Sequence, residues 1–302
     1  MATLIQQPLV MECTGWDAYR LLDSGAGRKF EAFGPYAFIR PEPQAMWQPR
    51  LPNWDAAGEF VPGSDEDGGG RWNLSPEVPD GWELQWNDVR FTAQPTPFRH
   101  LQFFPDMAPV WDWMRDQLGA RKDAETLNMF GYTGLGTLAL SDHGRVTHVD
   151  ASKKSVAQAR ENAALSGMED RPIRWLVDDA AKFTAREVRR ERRYDGIILD
   201  PPKFGRGPKQ ETWRIEEGLP GLIGDCAKLL DDKSAFLFLT VYAVRMSSLA
   251  IAGLLEEALA HLPGKIEHGD LAVREEALRQ AQDDRNGRLL PTAIFARWSN
   301  PG

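Results

Sequence analysis

The chain has 302 residues, 42% hydrophobic and 26% charged, with a net charge of −8. That length supports a large core in one or two domains. It contains no run of about 18 apolar residues, which excludes a membrane-spanning helix. The opening residues 1–13 lack the basic and apolar regions of a signal peptide. Cys13 and Cys226 lie too far apart to suggest a metal or disulfide framework. A reducing, cytoplasmic setting without metal is therefore expected.

Charge is unevenly spread. Residues 1–95 hold 7 Lys+Arg against 14 Asp+Glu, and residues 96–302 hold 29 against 30. No global basic footprint for nucleic acid exists, which leaves only a local patch for such a partner.

Residues 1–95 are rich in Trp, Pro and Gly and poor in helical periodicity. They carry six of the eleven tryptophans: Trp16, Trp47, Trp54, Trp72, Trp82 and Trp86. Asp23–Gly34 reads as a turn-rich hairpin, and Pro35–Arg40 and Trp82–Trp86 read as strands. The acidic, glycine-rich stretch 64–70 reads as a mobile loop tip. A small β-rich domain over residues 1–95 is expected. Its tryptophans form either a core and packing face or a base-stacking platform. An amphipathic helix over Pro105–Leu118 then follows, with Trp111, Met114 and Leu118 at helical spacing.

From residue 124 strands and helices alternate. Strands are expected at Glu125–Phe130, Val146–Asp150, Ile173–Val177, Tyr194–Asp200 and Ala235–Tyr242. Helices are expected at Leu135–Ser141, after Asp150 as far as Ser166 with Ser152 as N-cap, at Ala180–Glu191, at Thr212–Leu230 and at Ser247–Leu262. Strands at Lys265–Val273 and Thr292–Trp298 end the pattern. This order predicts an α/β domain over residues 96–302: a mostly parallel sheet with helices on both faces.

Three stretches carry chemistry. Gly131, Gly134 and Gly136 make a turn between the first strand and its helix, where a backbone can approach a ligand closely. Their G-x-x-G-x-G spacing departs from the pyrophosphate-binding arrangement and favours an adenosyl ligand without a phosphate. Asp150 ends the next strand, where a carboxylate can accept from both ribose hydroxyls or simply cap a helix. Asp179 ends the third strand, with Ala180 beside it. It can accept from an adenine amino group or cap the following helix, and Asp178 competes for either task.

Asp200-Pro201-Pro202-Lys203-Phe204 follows the fourth strand. The prolines stiffen the loop. Its carboxylate and a carbonyl can hold a planar nitrogen substrate with Phe204 stacked on it. Arg206, Lys209 and Arg214 follow closely and either contact substrate phosphates or form a solvated loop. The arginines around Arg186–Arg193 read as the polar face of a helix.

These motifs together resemble class I S-adenosylmethionine (SAM)-dependent methyltransferases, most closely the branch of bacterial 23S ribosomal RNA base methyltransferases acting at cytosine C5 or guanine N7. The resemblance implies a seven-stranded Rossmann-like sheet with its last strand antiparallel, and SAM across the carboxyl ends of the first four strands. It implies cofactor contacts from Phe130, Gly131, Tyr132, Thr133, Gly134, Asp150, Ser152, Asp179, Ala180 and Asp200. His100, Leu101 and Phe103 are further candidates. Asp200, Pro201, Pro202 and Lys203 match the catalytic loop; Phe204, Arg206, Lys209 and Arg214 would face the acceptor. Methylation of cytosine C5 ordinarily needs a cysteine nucleophile, and neither cysteine is well placed for it. The acceptor is expected to be a nucleobase of ribosomal RNA. Alternatives are a protein side chain or small metabolite and, more remotely, an NAD-linked oxidoreductase.

Overall fold

The computed structural model describes residues 1–63, 69–209, 211–242, 244–276 and 287–300. Most of the stretch expected to form a loop tip, residues 64–68, lies outside them. The chain forms two compact units. One comprises residues 1–11, 109–270 and 293–302, and the other residues 12–108 and 271–292.

This division differs from a boundary at residue 95. Residues 1–11 leave the small unit because β1 (Thr3–Leu4) and β2 (Leu9–Cys13) both pair with a strand of the large sheet. Residues 96–108 stay with the small unit. The Trp72 indole donates to the Thr96 carbonyl at 2.8 Å, and Phe103 packs on Phe33 and Phe91 at ring separations of 5.7 and 4.6 Å.

Within the small unit, β3 (Tyr19–Gly25), β4 (Arg28–Phe33), β5 (Tyr36–Pro41), β6 (Gly58–Pro62) and β7 (Gly70–Leu74) form a five-stranded sheet in that order. β8 (Trp82–Trp86) and β9 (Val89–Ala93) form a separate hairpin. The expected turn-rich hairpin is β3–β4. Its turn uses positive φ at Ala26 (51°) and Gly27 (75°), which bring the chain round in two residues.

The tryptophans of this unit make contacts within it. Trp86 is buried. The other five donate their indole N–H to protein acceptors: Trp16 to Gln85, Trp47 to Ser24, Trp54 to Asp23, Trp72 to Thr96 and Trp82 to Phe33. Those five rings are half-buried, with their polar edge satisfied by the protein itself.

After residue 104 the 3-10 turn Pro105–Met107 leads into α1 (Ala108–Leu118). Then come β10 (Ala124–Met129), α2 (Leu135–Leu140), β11 (Gly144–Asp150), α3 (Lys153–Leu165), β12 (Ile173–Val177), α4 (Ala180–Arg189) and β13 (Gly196–Leu199). A short hairpin of β14 (Phe204–Arg206) and β15 (Thr212–Arg214) precedes α5 (Ile215–Lys228). β16 (Phe236–Val241), α6 (Ser248–Ala258), β17 (Lys265–Arg274) and β18 (Leu289–Ser299) complete the order.

The sheet runs β1-β17-β18-β16-β13-β10-β11-β12, with β2 also on β17. It has nine strands, against the seven expected. The seven expected strands are all present, and β1 and β2 add to their β17 edge. β10, β11, β12, β13 and β16 pair in parallel, and β18 runs antiparallel to β16.

Alternation along the strands decides what each face buries. Leu127, Met129, Ile197, Leu199, Leu237 and Leu239 join Phe183 of α4, Ile223 of α5 and Ile251 of α6 in one core. On the other face, Trp113 of α1 sets its ring edge against Phe236 and Phe238 at 5.6 and 5.3 Å. Because both faces are covered, the parallel strands read as near-continuous apolar runs.

Candidate active site

The register of β13, β10 and β11 aligns their carboxyl ends. Leu199 is level with Met129, and Met129 with Val149. The glycine turn after β10 therefore starts beside Asp150 and the Asp200 loop. Its backbone is unusual. Phe130 and Tyr132 hold positive φ of 57° and 47°, and Gly134 holds 85°. Such values in non-glycine residues persist only where the surroundings enforce them.

Those surroundings are visible. Gly131 N–H donates to the Val149 carbonyl at 3.1 Å, and Gly134 N–H to the Gly131 carbonyl at 3.0 Å. The Asn162 side-chain amide donates to the Thr133 carbonyl at 2.9 Å. Gly131 admits no side chain, because a Cβ there would lie 2.5 Å from the His148 ring. His148 is wholly buried beneath it, linked through Nδ1 to the Thr137 hydroxyl at 2.8 Å, which accepts from Asn128 at 2.9 Å. Burial pushes its pKa down to about 3. A neutral imidazole thus underlies the turn.

Asp150 ties the turn to the next helix. One carboxylate oxygen accepts from Tyr132 N–H at 2.9 Å and the other from Ser152 N–H at 2.8 Å. Burial raises its pKa, and the two backbone donors oppose the rise. Ser152 caps α3 through its hydroxyl on Ser155 N–H. Asp179 likewise caps α4, with one oxygen on Lys182 N–H at 2.9 Å. Asp178 accepts from Asp179 N–H and pairs with Arg186. Ala180 is buried at the start of α4.

In the loop after β13, the Thr240 hydroxyl donates to the Asp200 carboxylate at 2.5 Å. Pro201 is buried, whereas Pro202, Lys203 and Phe204 are exposed. Phe204 is 43% exposed, uncommon for a ring of its size. The Arg214 guanidinium lies 5.9 Å from the centre of that ring. Arg206 and Lys209 are exposed on the same hairpin. The helix expected to begin at Thr212 begins at Ile215, because Thr212–Arg214 pairs with Phe204–Arg206 as β15.

Trp213 stands out little in the sequence. It is buried, its indole N–H donates to the Pro202 carbonyl at 2.7 Å, and its ring lies 5.2 Å from that of Phe130. A lone aromatic amid Lys and Arg was its only signal. His100, Leu101 and Phe103 belong to the small unit. There Leu101 and Phe103 are buried, and the His100 ring packs on Phe104 at 4.7 Å. Burial, then Arg40 and Arg99, hold the His100 pKa well below its usual value.

A family model for S-adenosylmethionine-dependent methyltransferases matches residues 64–235, more than half of the chain. The chain belongs to the SAM-dependent methyltransferase family. A crystal structure of a SAM-dependent methyltransferase from Agrobacterium tumefaciens is 37% identical, with a TM-score of 0.92, over 99% of this chain and 95% of that one. A Streptococcus mutans structure described as a SAM-dependent methyltransferase shares the fold at 16% identity and a TM-score of 0.67, over 93% of this chain and 75% of that one. Among curated relatives, ribosomal RNA large subunit methyltransferase I of Aeromonas salmonicida is 29% identical over 177 residues, which are 57% of this chain and 42% of the relative. The chain thus spans less than half the length of that relative.

The donor set suits the cofactor of this methyltransferase family. After accepting two backbone N–H groups, the Asp150 carboxylate retains lone pairs for the hydroxyls of a ribose. The turn from Phe130 to Gly134 offers backbone rather than charge, which fits an adenosyl group carrying no phosphate. Among the described residues no cluster of His, Cys, Asp and Glu could hold a metal ion, and no helix is long and apolar enough to cross a membrane.

Proposed function

We propose that this SAM-dependent methyltransferase acts in the cytoplasm on a nitrogen of a nucleobase in ribosomal RNA. The observation that carries the reading is the Asp200–Phe204 loop. It combines a carboxylate oriented by Thr240 with an exposed aromatic ring beside a guanidinium. The names of the curated relatives supply the polymer.

Bound SAM supplies a methyl group already activated on a sulfonium. The protein's task is to orient two reactants and exclude water. In this reading Asp150 holds the ribose while the backbone of Phe130–Gly134 and the side of Ser152 flank the cofactor. Asp179 accepts from the adenine amino group with the carboxylate oxygen that does not cap α4, and Ala180 lines the base. Asp200 positions the nucleophilic nitrogen and takes up its proton. Pro201, Pro202 and Lys203 hold the loop around it. Phe204 stacks on the base, and Arg206, Lys209 and Arg214 meet phosphates.

The acceptor atom must bring its own lone pair. Attack from carbon 5 of a pyrimidine needs a thiol adduct, and both thiols are buried. Cys13 donates to the Pro105 carbonyl, and burial raises the Cys226 pKa far above its usual value.

The test is transfer of labelled methyl from SAM into lysate of a deletion strain. Nuclease should release the label. Label released by protease, or found in small molecules, would overturn the RNA acceptor; the acidic first 95 residues favour such acceptors.

A further inference from the structure

We infer that Trp213 is the positioning residue that locks the acceptor loop in its working shape and joins it to the cofactor turn. The inference rests on the reading of Asp200–Phe204 as the acceptor loop. It goes beyond that reading by assigning a task to a residue outside the loop and outside the reacting groups.

Four observations converge on this side chain. Its indole N–H takes the Pro202 carbonyl at 2.7 Å. Its ring rests on Phe130, one of the residues held at positive φ in the cofactor turn. Its backbone sits opposite Gly205 in the β14–β15 hairpin, and two residues on, Ile215 N–H takes the Lys203 carbonyl at 3.1 Å. Gly218 of α5 lies flat against the ring, since a Cβ there would stand 2.5 Å from Trp213 Cζ3.

The consequence is selective. The Pro202 and Lys203 carbonyls are occupied by Trp213 and Ile215. The Pro201 carbonyl accepts no hydrogen bond among the described residues. A substrate N–H would thus meet one carbonyl and the Asp200 carboxylate, held in a fixed relation. Proline rings alone do not fix that relation: Pro202 restricts ψ at Pro201, but ψ at Pro202 remains free to turn. The indole hydrogen bond removes that freedom. Because the same ring bears on Phe130, the two loops share one anchor.

The test compares Trp213→Phe, which keeps an aromatic ring and removes the N–H, with Gly218→Ala, which keeps the N–H and displaces the ring. Because the Gly218→Ala Cβ overpacks a buried ring, thermal unfolding of both variants first establishes that each is folded. Hydrogen exchange of the unliganded protein is the first readout. Amides of residues 203–206 and 212–215 should exchange faster in both variants, while those of α5 beyond residue 219 and of β10 keep their wild-type rates. Turnover is the second: kcat should fall roughly tenfold, the loss expected for one buried hydrogen bond, with SAM affinity by calorimetry within about twofold of wild type.

Uniformly faster exchange across the unit would reduce Trp213 to a packing residue and overturn the inference. So would wild-type kcat in both variants. The exchange readout requires no acceptor. If RNA proves to be the wrong substrate, wild-type protein fails to methylate it while the exchange result stands. If the inference is wrong, Trp213→Phe methylates the true acceptor at the wild-type rate.

Discussion

Replacing Asp150 probes the cofactor assignment most sharply. Its two oxygens accept from Tyr132 and Ser152 N–H groups at 2.9 and 2.8 Å, and would also receive the ribose hydroxyls. A hydrogen bond to a charged group contributes about 1.5–3 kcal/mol. Loss of two ribose bonds in Asp150→Ala therefore costs about 3 kcal/mol or more of binding, roughly a hundredfold in Kd. Asp150→Asn presents one oxygen and one amide nitrogen. The nitrogen cannot accept from a backbone N–H, so this variant should also bind weakly. Isothermal titration of SAM into each variant measures the effect. Thermal unfolding without ligand separates it from the loosening of the turn that follows loss of the Tyr132 and Ser152 contacts. SAM affinity within twofold of wild type in Asp150→Ala would refute the ribose role. The wild-type protein adds a pH test. Burial raises the Asp150 pKa, so SAM affinity should fall on acidification at a pH above the ordinary aspartate range.

Asp200→Ala should retain SAM binding by calorimetry and lose at least about a hundredfold in turnover, as removal of a positioned acid–base group does; wild-type turnover would reject its role. His148 has a pKa lowered to about 3, so it is neutral in the folded protein and binds a proton more readily when unfolded. Its stability contribution is complete above about pH 6.5 and is lost as pH falls from there toward 3, by up to about 1.4 kcal/mol per pH unit. Denaturant titrations from pH 7 to 4 should show that slope, and His148→Phe should flatten it. Replacing both cysteines with alanine should leave kcat within about twofold, and wild-type protein should form no covalent adduct with RNA bearing 5-fluoropyrimidines; a trapped adduct would contradict the lone-pair acceptor.

The elements that carry the candidate site had local signals in the sequence. Glycines at a strand–helix junction, an acid at a strand end and an Asp-Pro-Pro loop are short patterns, and parallel strands buried on both faces read as apolar runs. Asp179 shows where such patterns stop. An aspartate before a helix serves equally as a cap or a ligand, and the structure shows the capping bond to Lys182 directly. The rest depends on distant partners. β1 and β2 join the sheet through β17, more than 250 residues away in sequence, and edge pairing leaves no local trace. Residues 212–214 continue the apolar spacing of α5 and so read as its first turn. Only the pairing with Phe204–Arg206 makes them a strand. Trp213 is hidden for the same reason, since its meaning lies in the Pro202 carbonyl, Phe130 and Gly218.

The central claim is methyl transfer from SAM to a base nitrogen of ribosomal RNA at the Asp200 loop. Its most direct measurement is incubation of purified protein with labelled SAM and large-subunit RNA from a deletion strain, followed by digestion to nucleosides and mass spectrometry. The account predicts one labelled nucleoside, methylated on a ring or exocyclic nitrogen and absent with Asp200→Ala. A label on carbon 5 of a pyrimidine, on the ribose, or on no nucleoside would contradict it.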